Sequence, residues 1–201
     1  MKALLEKRIF AVFILVIAAL VAGIAGYSTL RDARMPVSSG TALVGGPFTL
    51  TSHEGKRVTN EDFRGKYMLV TFGYTYCPDV CPTELQIISA ALELLGEQAK
   101  DIQPIFITVD PERDTPAVMK SYVSAFSPRL IGLTGTDAEV AKVAKAYAVY
   151  YKKQEAQGAS GYLMDHSSAP MLFGPDGAPI ALAPADEGPD AVARMLDQWV
   201  K

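Results

Sequence analysis

This chain has no excess of basic residues. Its 201 residues include 19 Lys and Arg against 22 Asp and Glu, which gives a net charge of −3. The lysines are scattered, so the sequence forms no basic patch that could neutralise a run of phosphates. Internal repeats and low-complexity tracts are also absent. These absences argue against a nucleic-acid partner and leave an ordinary globular chain.

Charge is also absent from residues 9–27, "IFAVFILVIAALVAGIAGY". As a helix these 19 residues would span roughly 28 Å, close to the ~30 Å hydrocarbon core of a bilayer. Lys2, Lys7 and Arg8 precede the run and place the N-terminus in the cytoplasm. A cleaved signal peptide is the alternative, but its apolar stretch is usually shorter. We therefore expect a single-pass transmembrane helix in the inner (cytoplasmic) membrane, with the following domain in the periplasm or an equivalent space.

The rest of the chain divides into a tether and one domain. Residues 31–46 mix Pro, Ser and Gly without apolar periodicity, so we expect an anchor over 1–30, a flexible tether over 31–46 and a domain over 47–201. The apolar patterns of the domain predict hairpins at 48–59 and 169–185, strands at 67–75, 102–110 and 130–135, and helices at 82–99, 115–126, 137–151 and 188–200. This order predicts an α/β fold with a mixed sheet flanked by helices.

Cysteine occurs only twice, at Cys77 and Cys81 in "GYTYCPDVCP". The pair falls between a predicted strand end and a helix start, where open α/β sheets place their sites. A four-residue spacing on a helix would put both sulfurs on one face, and a helix N-terminus favours the thiolate. A static disulfide closing so short a loop would stabilise little. Redox chemistry usually prefers C-x-x-C, so the spacing alone leaves metal binding and redox chemistry both open.

The pattern of a peroxidatic cysteine is missing too. That pattern requires proline seven residues before the cysteine and Thr or Ser three residues before it. The chain has Val70 and Tyr74 at these positions. We therefore exclude a peroxidase.

Histidine also occurs only twice. His53 lies at a predicted hairpin tip, where we expect it to be exposed and incidental. His166 lies in a short polar stretch, "GYLMDHSSAP", expected to be a loop; it is either a ligand or a loop residue bonded to its neighbours. Two thiolates and one imidazole suit Cu(I), whereas zinc usually takes a fourth ligand, and Cu(II) could use the set with one further donor. Asp165 could orient the imidazole or cap the local turn, and Met164 is expected in the core rather than as a ligand.

Together the anchor and three motifs resemble the Sco/SenC family of copper chaperones. The motifs are "TFGYTYCPDVCP" (71–82), "VDPERDTP" (109–116) and "YLMDHS" (162–167), and the resemblance extends over residues 47–201. It implies a thioredoxin-like fold, copper ligands at Cys77, Cys81 and His166, and a role in assembling the copper centre of cytochrome c oxidase subunit two. Met164 stands where the family often has valine, and Met171 where an aromatic residue is common.

The resemblance also implies thiol-disulfide exchange through the redox pair Cys77 and Cys81. The expected function is a membrane-anchored copper chaperone, supplied by a copper donor protein or by periplasmic copper. The alternative is a thiol-disulfide oxidoreductase that reduces partner cysteines before metallation, and a sensor is a weaker third hypothesis. Asp110, Pro111, Arg113 and Asp114 match the family signature "DPxRDTP", and we assign these four only structure or partner contact.

Overall fold

The computed structural model describes residues 44–155, 161–167 and 169–201. The predicted membrane anchor and all but the last three residues of the predicted tether lie outside this part of the chain. Within the described residues, no helix has the length and apolar character needed to cross a membrane.

Nine strands and four α-helices make up the described part. The strands are β1 Thr49–Ser52, β2 Arg57–Thr59, β3 Tyr67–Gly73, β4 Ile102–Thr108, β5 Ile131–Thr134, β6 Tyr151–Glu155, β7 Tyr162–His166, β8 Met171–Phe173 and β9 Pro179–Leu182. The helices are α1 Val80–Leu95, α2 Pro116–Ser124, α3 Asp137–Ala146 and α4 Pro189–Trp199. Short 3-10 turns follow β2 and α1 and precede α4.

Seven of the strands form one mixed sheet in the order β2-β1-β5-β4-β3-β8-β9. The central strands β3, β4 and β5 are parallel, with Val70 opposite Ile105, and the outer pairs are antiparallel. Strands β3 and β4 are apolar on both faces because both faces are covered. The mixed α/β sheet that the sequence predicts is confirmed.

Each face of the sheet has its own apolar core. Helices α1, α2 and α4 pack on one face, where Leu69 and Phe106 point from the central strands. Helix α3 covers the other face, where Val70 and Ile107 point. Alternate side chains of one strand therefore enter different cores, and the expected helices on both faces are present.

Two predicted elements around His166 are wrong. Helix α3 ends at Ala146 and not at 151, because Ala148 adopts a left-handed conformation (φ 54°). The Val149 N–H then donates to the Ala144 carbonyl at 2.8 Å and terminates the helix. Within the polar stretch expected to be a loop, Tyr162–His166 forms strand β7, which pairs with β6 in a separate two-stranded sheet. His166 is thus the last residue of a strand, opposite Tyr151.

Candidate metal centre

The two cysteines lie at the carboxyl end of β3, on either side of the start of α1. Helix α1 begins at Val80, so Cys81 lies in its first turn and Cys77 lies in the loop before it. The prediction that both sulfurs share one helical face is therefore wrong. Pro78 gives the reason, because a residue before proline is disfavoured in helical conformation.

Local hydrogen bonds hold the Cys77 sulfur over the helix start. The Cys77 N–H donates to the Tyr74 carbonyl at 3.2 Å, and the Cys81 N–H donates to the Cys77 sulfur at 3.4 Å. Gly73 lets the strand end approach, because a Cβ there would lie 2.9 Å from the Cys81 sulfur and 2.7 Å from the Phe106 ring. The backbone around the pair is thus packed closely enough to fix both sulfurs.

His166 reaches the cysteines from the end of β7. Its Nε2 lies 3.3 Å from the Cys81 sulfur, and its Nδ1 lies 3.1 Å from the Ser167 carbonyl. A carbonyl only accepts, so Nδ1 carries a hydrogen, and loss of the proton on Nε2 would leave a lone pair directed at the sulfurs. The carboxylate of Asp165 accepts instead from the Gln154 amide at 2.7 Å, so it does not orient the imidazole.

The three ligand atoms lie within 4.8 Å of one another. A shared ion about 2.0–2.3 Å from each ligand would hold them within about 4.6 Å, so a small inward movement suffices. Both cysteines are free; Cys81 is buried, whereas Cys77 and His166 are partly exposed. The site is therefore closed on the helix side and open on the side of Cys77.

Electrostatics divide the two thiols into a thiolate and a thiol. A hydrogen bond from the Cys81 thiol lowers the pKa of Cys77 to about 3. Partial burial opposes this shift, and His166 adds to it. The same hydrogen bond, together with burial, raises the pKa of Cys81. Burial lowers the pKa of His166, but the Cys77 thiolate and the hydrogen bond to the Ser167 carbonyl raise it, and the His166 pKa is raised overall. A metal ion entering the site would displace the Cys81 proton.

Asp114 of the "DPxRDTP" segment joins the loop after β4 to the cysteine loop. Its buried carboxylate accepts from the Thr75 N–H at 3.0 Å, from the Thr75 hydroxyl at 2.6 Å and from the Thr108 hydroxyl at 2.6 Å. Burial raises its pKa, although these hydrogen bonds oppose the shift. Thr75 comes two residues before Cys77, so Asp114 holds the cysteine loop in place.

Two residues that matter here, Thr75 and Tyr162, have no role predicted from the sequence, and the predicted exposure of His53 at the hairpin tip is wrong. Thr75 and Tyr162 bind the "DPxRDTP" segment, and only their positions inside the two ligand motifs could have pointed to them. His53 lies just after β1, but its side chain is only 16% exposed and its Nδ1 accepts the Gly132 N–H at 3.0 Å. It is a structural residue and not an exposed one. Met164 is buried in the core, as expected.

Fold and site together define the class of this protein, a thioredoxin-like α/β domain in which two cysteines and one histidine form a candidate metal site. A thioredoxin domain of a thiol-disulfide oxidoreductase from Bacteroides vulgatus superposes with a TM-score of 0.58 at 19% identity, covering 82% of this chain and 100% of that one. That likeness concerns the fold alone. The SCO1/SenC family model matches residues 36–201, and the chain belongs to this family.

Two similar proteins illustrate the family. The human protein SCO1 homolog, mitochondrial, is 46% identical over 140 residues, which are 69% of this chain and 46% of the human protein. The structure of Bradyrhizobium japonicum ScoI with copper bound has a TM-score of 0.72 and 46% identity, covering 78% of this chain and 99% of that one. This chain spans about half the length of curated relatives such as this human protein.

Proposed function

We propose that this protein is a copper chaperone that binds one copper ion through Cys77, Cys81 and His166. The observation that carries the proposal is the convergence of two sulfurs and one imidazole nitrogen within 4.8 Å. The copper held by the ScoI relative at 46% identity supports the choice of metal.

The donor set favours copper over zinc on chemical grounds. Thiolate ligands are soft and suit Cu(I), which accepts low coordination numbers, whereas structural zinc sites are nearly always four-coordinate. Among the residues that the structure describes, no further Cys, His, Asp or Glu joins the group. Cu(II) would complete its coordination with another oxygen donor such as water.

Delivery requires that a partner's ligands reach the bound ion. Cys77 is partly exposed, and the apolar side chains of Tyr76 and Val80 beside it are each 52% exposed. A partner docking on this side would replace the copper ligands one at a time. The family resemblance supports the binuclear copper centre of cytochrome c oxidase subunit two as the acceptor, and a copper donor protein or periplasmic copper as the source.

Anchoring belongs to the same proposal. An anchor over 1–30 and a tether over 31–46 would leave the domain over 47–201 free to reach a membrane-bound acceptor from the periplasmic side, or from an equivalent space such as that of the mitochondrial relatives. The uncharged run at 9–27 supports this arrangement.

A second function, thiol-disulfide exchange, is favoured by the unequal thiols. The Cys77 thiolate would attack a partner disulfide and release one partner thiolate; Cys81 would then lose its proton and attack the mixed disulfide. Two electrons pass to the partner, which leaves with two thiols, and Cys77 and Cys81 become a disulfide. Oxidation removes two copper ligands, so the same step would release the metal.

An anaerobic Cu(I) titration of the reduced full chain against a competing chelator tests the proposal. We expect one copper per chain, at least ten-fold weaker binding in Cys77→Ala and His166→Ala, and no change in the control His53→Gln. Equal affinities for wild type and His166→Ala would overturn the three-ligand site. Reduction of a disulfide substrate by both proteins would then favour the second function.

A further inference from the structure

The hairpin that carries His166 has little apolar anchoring. Strands β6 and β7 form a sheet of their own. Met164 is the one buried side chain among the residues of these two strands, and Tyr151 and Tyr162 pack against the same core while staying partly exposed. At the base of the hairpin, the Ser167 N–H donates to the Tyr150 carbonyl at 2.9 Å, and the Tyr150 N–H donates to the Ser167 hydroxyl at 2.9 Å. A hairpin with so few buried contacts needs polar contacts elsewhere to fix its direction.

Arg113 supplies the contact at the other end of β7. Its Nη1 donates to the Tyr162 carbonyl at 3.0 Å, and its guanidinium lies 3.6 Å from the centre of the Tyr162 ring. The same group lies 4.7 Å from the ring centre of Tyr76, in the cysteine loop. Arg113 therefore contacts both segments that carry the proposed copper ligands.

A ring of polar contacts fixes Arg113 itself. Its Nε pairs with Asp110, and the other carboxylate oxygen of Asp110 accepts from the Tyr162 hydroxyl at 2.7 Å. A second pair joins Lys153 of β6 to Glu112 at 2.9 Å. Both strands of the hairpin are thus tied to the loop after β4.

We propose that Arg113 is a positioning residue that keeps His166 Nε2 directed at the copper held by Cys77 and Cys81. This inference rests on the proposed function. His166 follows Tyr162 by four positions, about 13 Å along one strand, so fixing Tyr162 sets the direction in which the strand ends. Lysine would keep the charge at position 113 but lose the planar stacking and the two separately directed N–H groups.

The test is a double-mutant cycle of Cu(I) affinity on the reduced full chain, with the competition titration described above. We expect Arg113→Lys to weaken binding about ten-fold, the lower end of the range for residues that orient a metal-binding histidine. In the His166→Ala background the same substitution should change the affinity less than two-fold. A residue that stabilises the domain in general would weaken binding equally in both backgrounds.

Arg129 offers a matched control. It also donates to backbone carbonyls, those of Ala99 and Ile102, and it is also partly buried, but it lies away from the cysteines and His166. Arg129→Lys should leave the copper affinity unchanged. If Arg113→Lys fails to fold, as judged by circular dichroism, Tyr162→Phe replaces it: the loss of one hydrogen bond to Asp110 should weaken binding about three-fold, again only when His166 is present.

The outcomes separate this inference from the proposed function. A wild-type chain that binds no copper would overturn both. Binding that depends on His166 but not on Arg113 or the Tyr162 hydroxyl would overturn the positioning role alone. An Arg113 effect of equal size with and without His166 would overturn it as well.

Discussion

Asp114 allows the sharpest test of how the cysteine loop is held. Its carboxylate accepts three hydrogen bonds, two from Thr75 and one from Thr108, at 2.6–3.0 Å. At about 1 kcal/mol of net stabilisation for each bond, Asp114→Ala should lower the free energy of unfolding by about 3 kcal/mol.

Asp114→Asn is the matched variant. An amide oxygen in place of Oδ2 still accepts from the Thr75 N–H and the Thr108 hydroxyl, and the amide nitrogen in place of Oδ1 donates to the Thr75 hydroxyl, which can rotate. All three contacts survive, so we expect a loss of less than about 1 kcal/mol. Urea unfolding at pH 7, followed by the fluorescence of the single tryptophan, Trp199, measures both values.

The pH dependence has a definite sign. Because burial raises the pKa of Asp114 above its unfolded value, the carboxyl favours the folded state most at pH values below the unfolded pKa. That contribution is lost as pH rises through the raised folded pKa. The stability of the wild type relative to Asp114→Asn should therefore fall with rising pH over this window. Equal losses for the alanine and asparagine variants at pH 7 would refute the reasoning.

Two further predictions concern the sulfurs. Because the pKa of Cys77 lies near 3, its alkylation rate in the metal-free chain should be nearly flat between pH 5 and 8, whereas the rate of an ordinary thiol rises about ten-fold per pH unit. Peptide mass spectrometry should find Cys81 unmodified. A steep rise in the rate for Cys77 would contradict the assignment of a thiolate. Gly73→Ala should cost about 1–3 kcal/mol in urea unfolding, because its Cβ would lie 2.9 Å from the Cys81 sulfur and 2.7 Å from Phe106; no loss would show that the strand end can shift.

The parts of the fold that the sequence predicts well are those buried on two faces. Strands β3 and β4 are continuous apolar runs, and α2 begins where predicted, with the Thr115 hydroxyl accepting the Val118 N–H and Pro116 following. Burial and capping are local features, so residue type reveals them directly.

The β6–β7 hairpin escaped prediction because its strands bury almost nothing. Every residue of β6 except Tyr151 is exposed, and β7 buries only Met164. Burial does alternate along β7, with Tyr162, Met164 and His166 on the inner side, but residue type does not follow it, because exposed Leu163 is apolar and inward His166 is polar. The hairpin is fixed by long-range contacts such as that of Arg113 with Tyr162, 49 positions apart, which no local pattern records.

The candidate ligands were predictable from residue type, but their arrangement depends on Pro78. Because Pro78 keeps Cys77 out of α1, the Cys77 sulfur lies where an N-cap oxygen would lie and accepts the Cys81 N–H at 3.4 Å. The Asp79 side chain, which holds the N-cap position, makes no such bond. The N–H groups of Asp79 and Cys81 add to the lowering of the Cys77 pKa. A four-residue spacing inside a helix would give two similar thiols one turn apart; with the proline it gives one ready thiolate and one buried thiol that a metal ion must deprotonate.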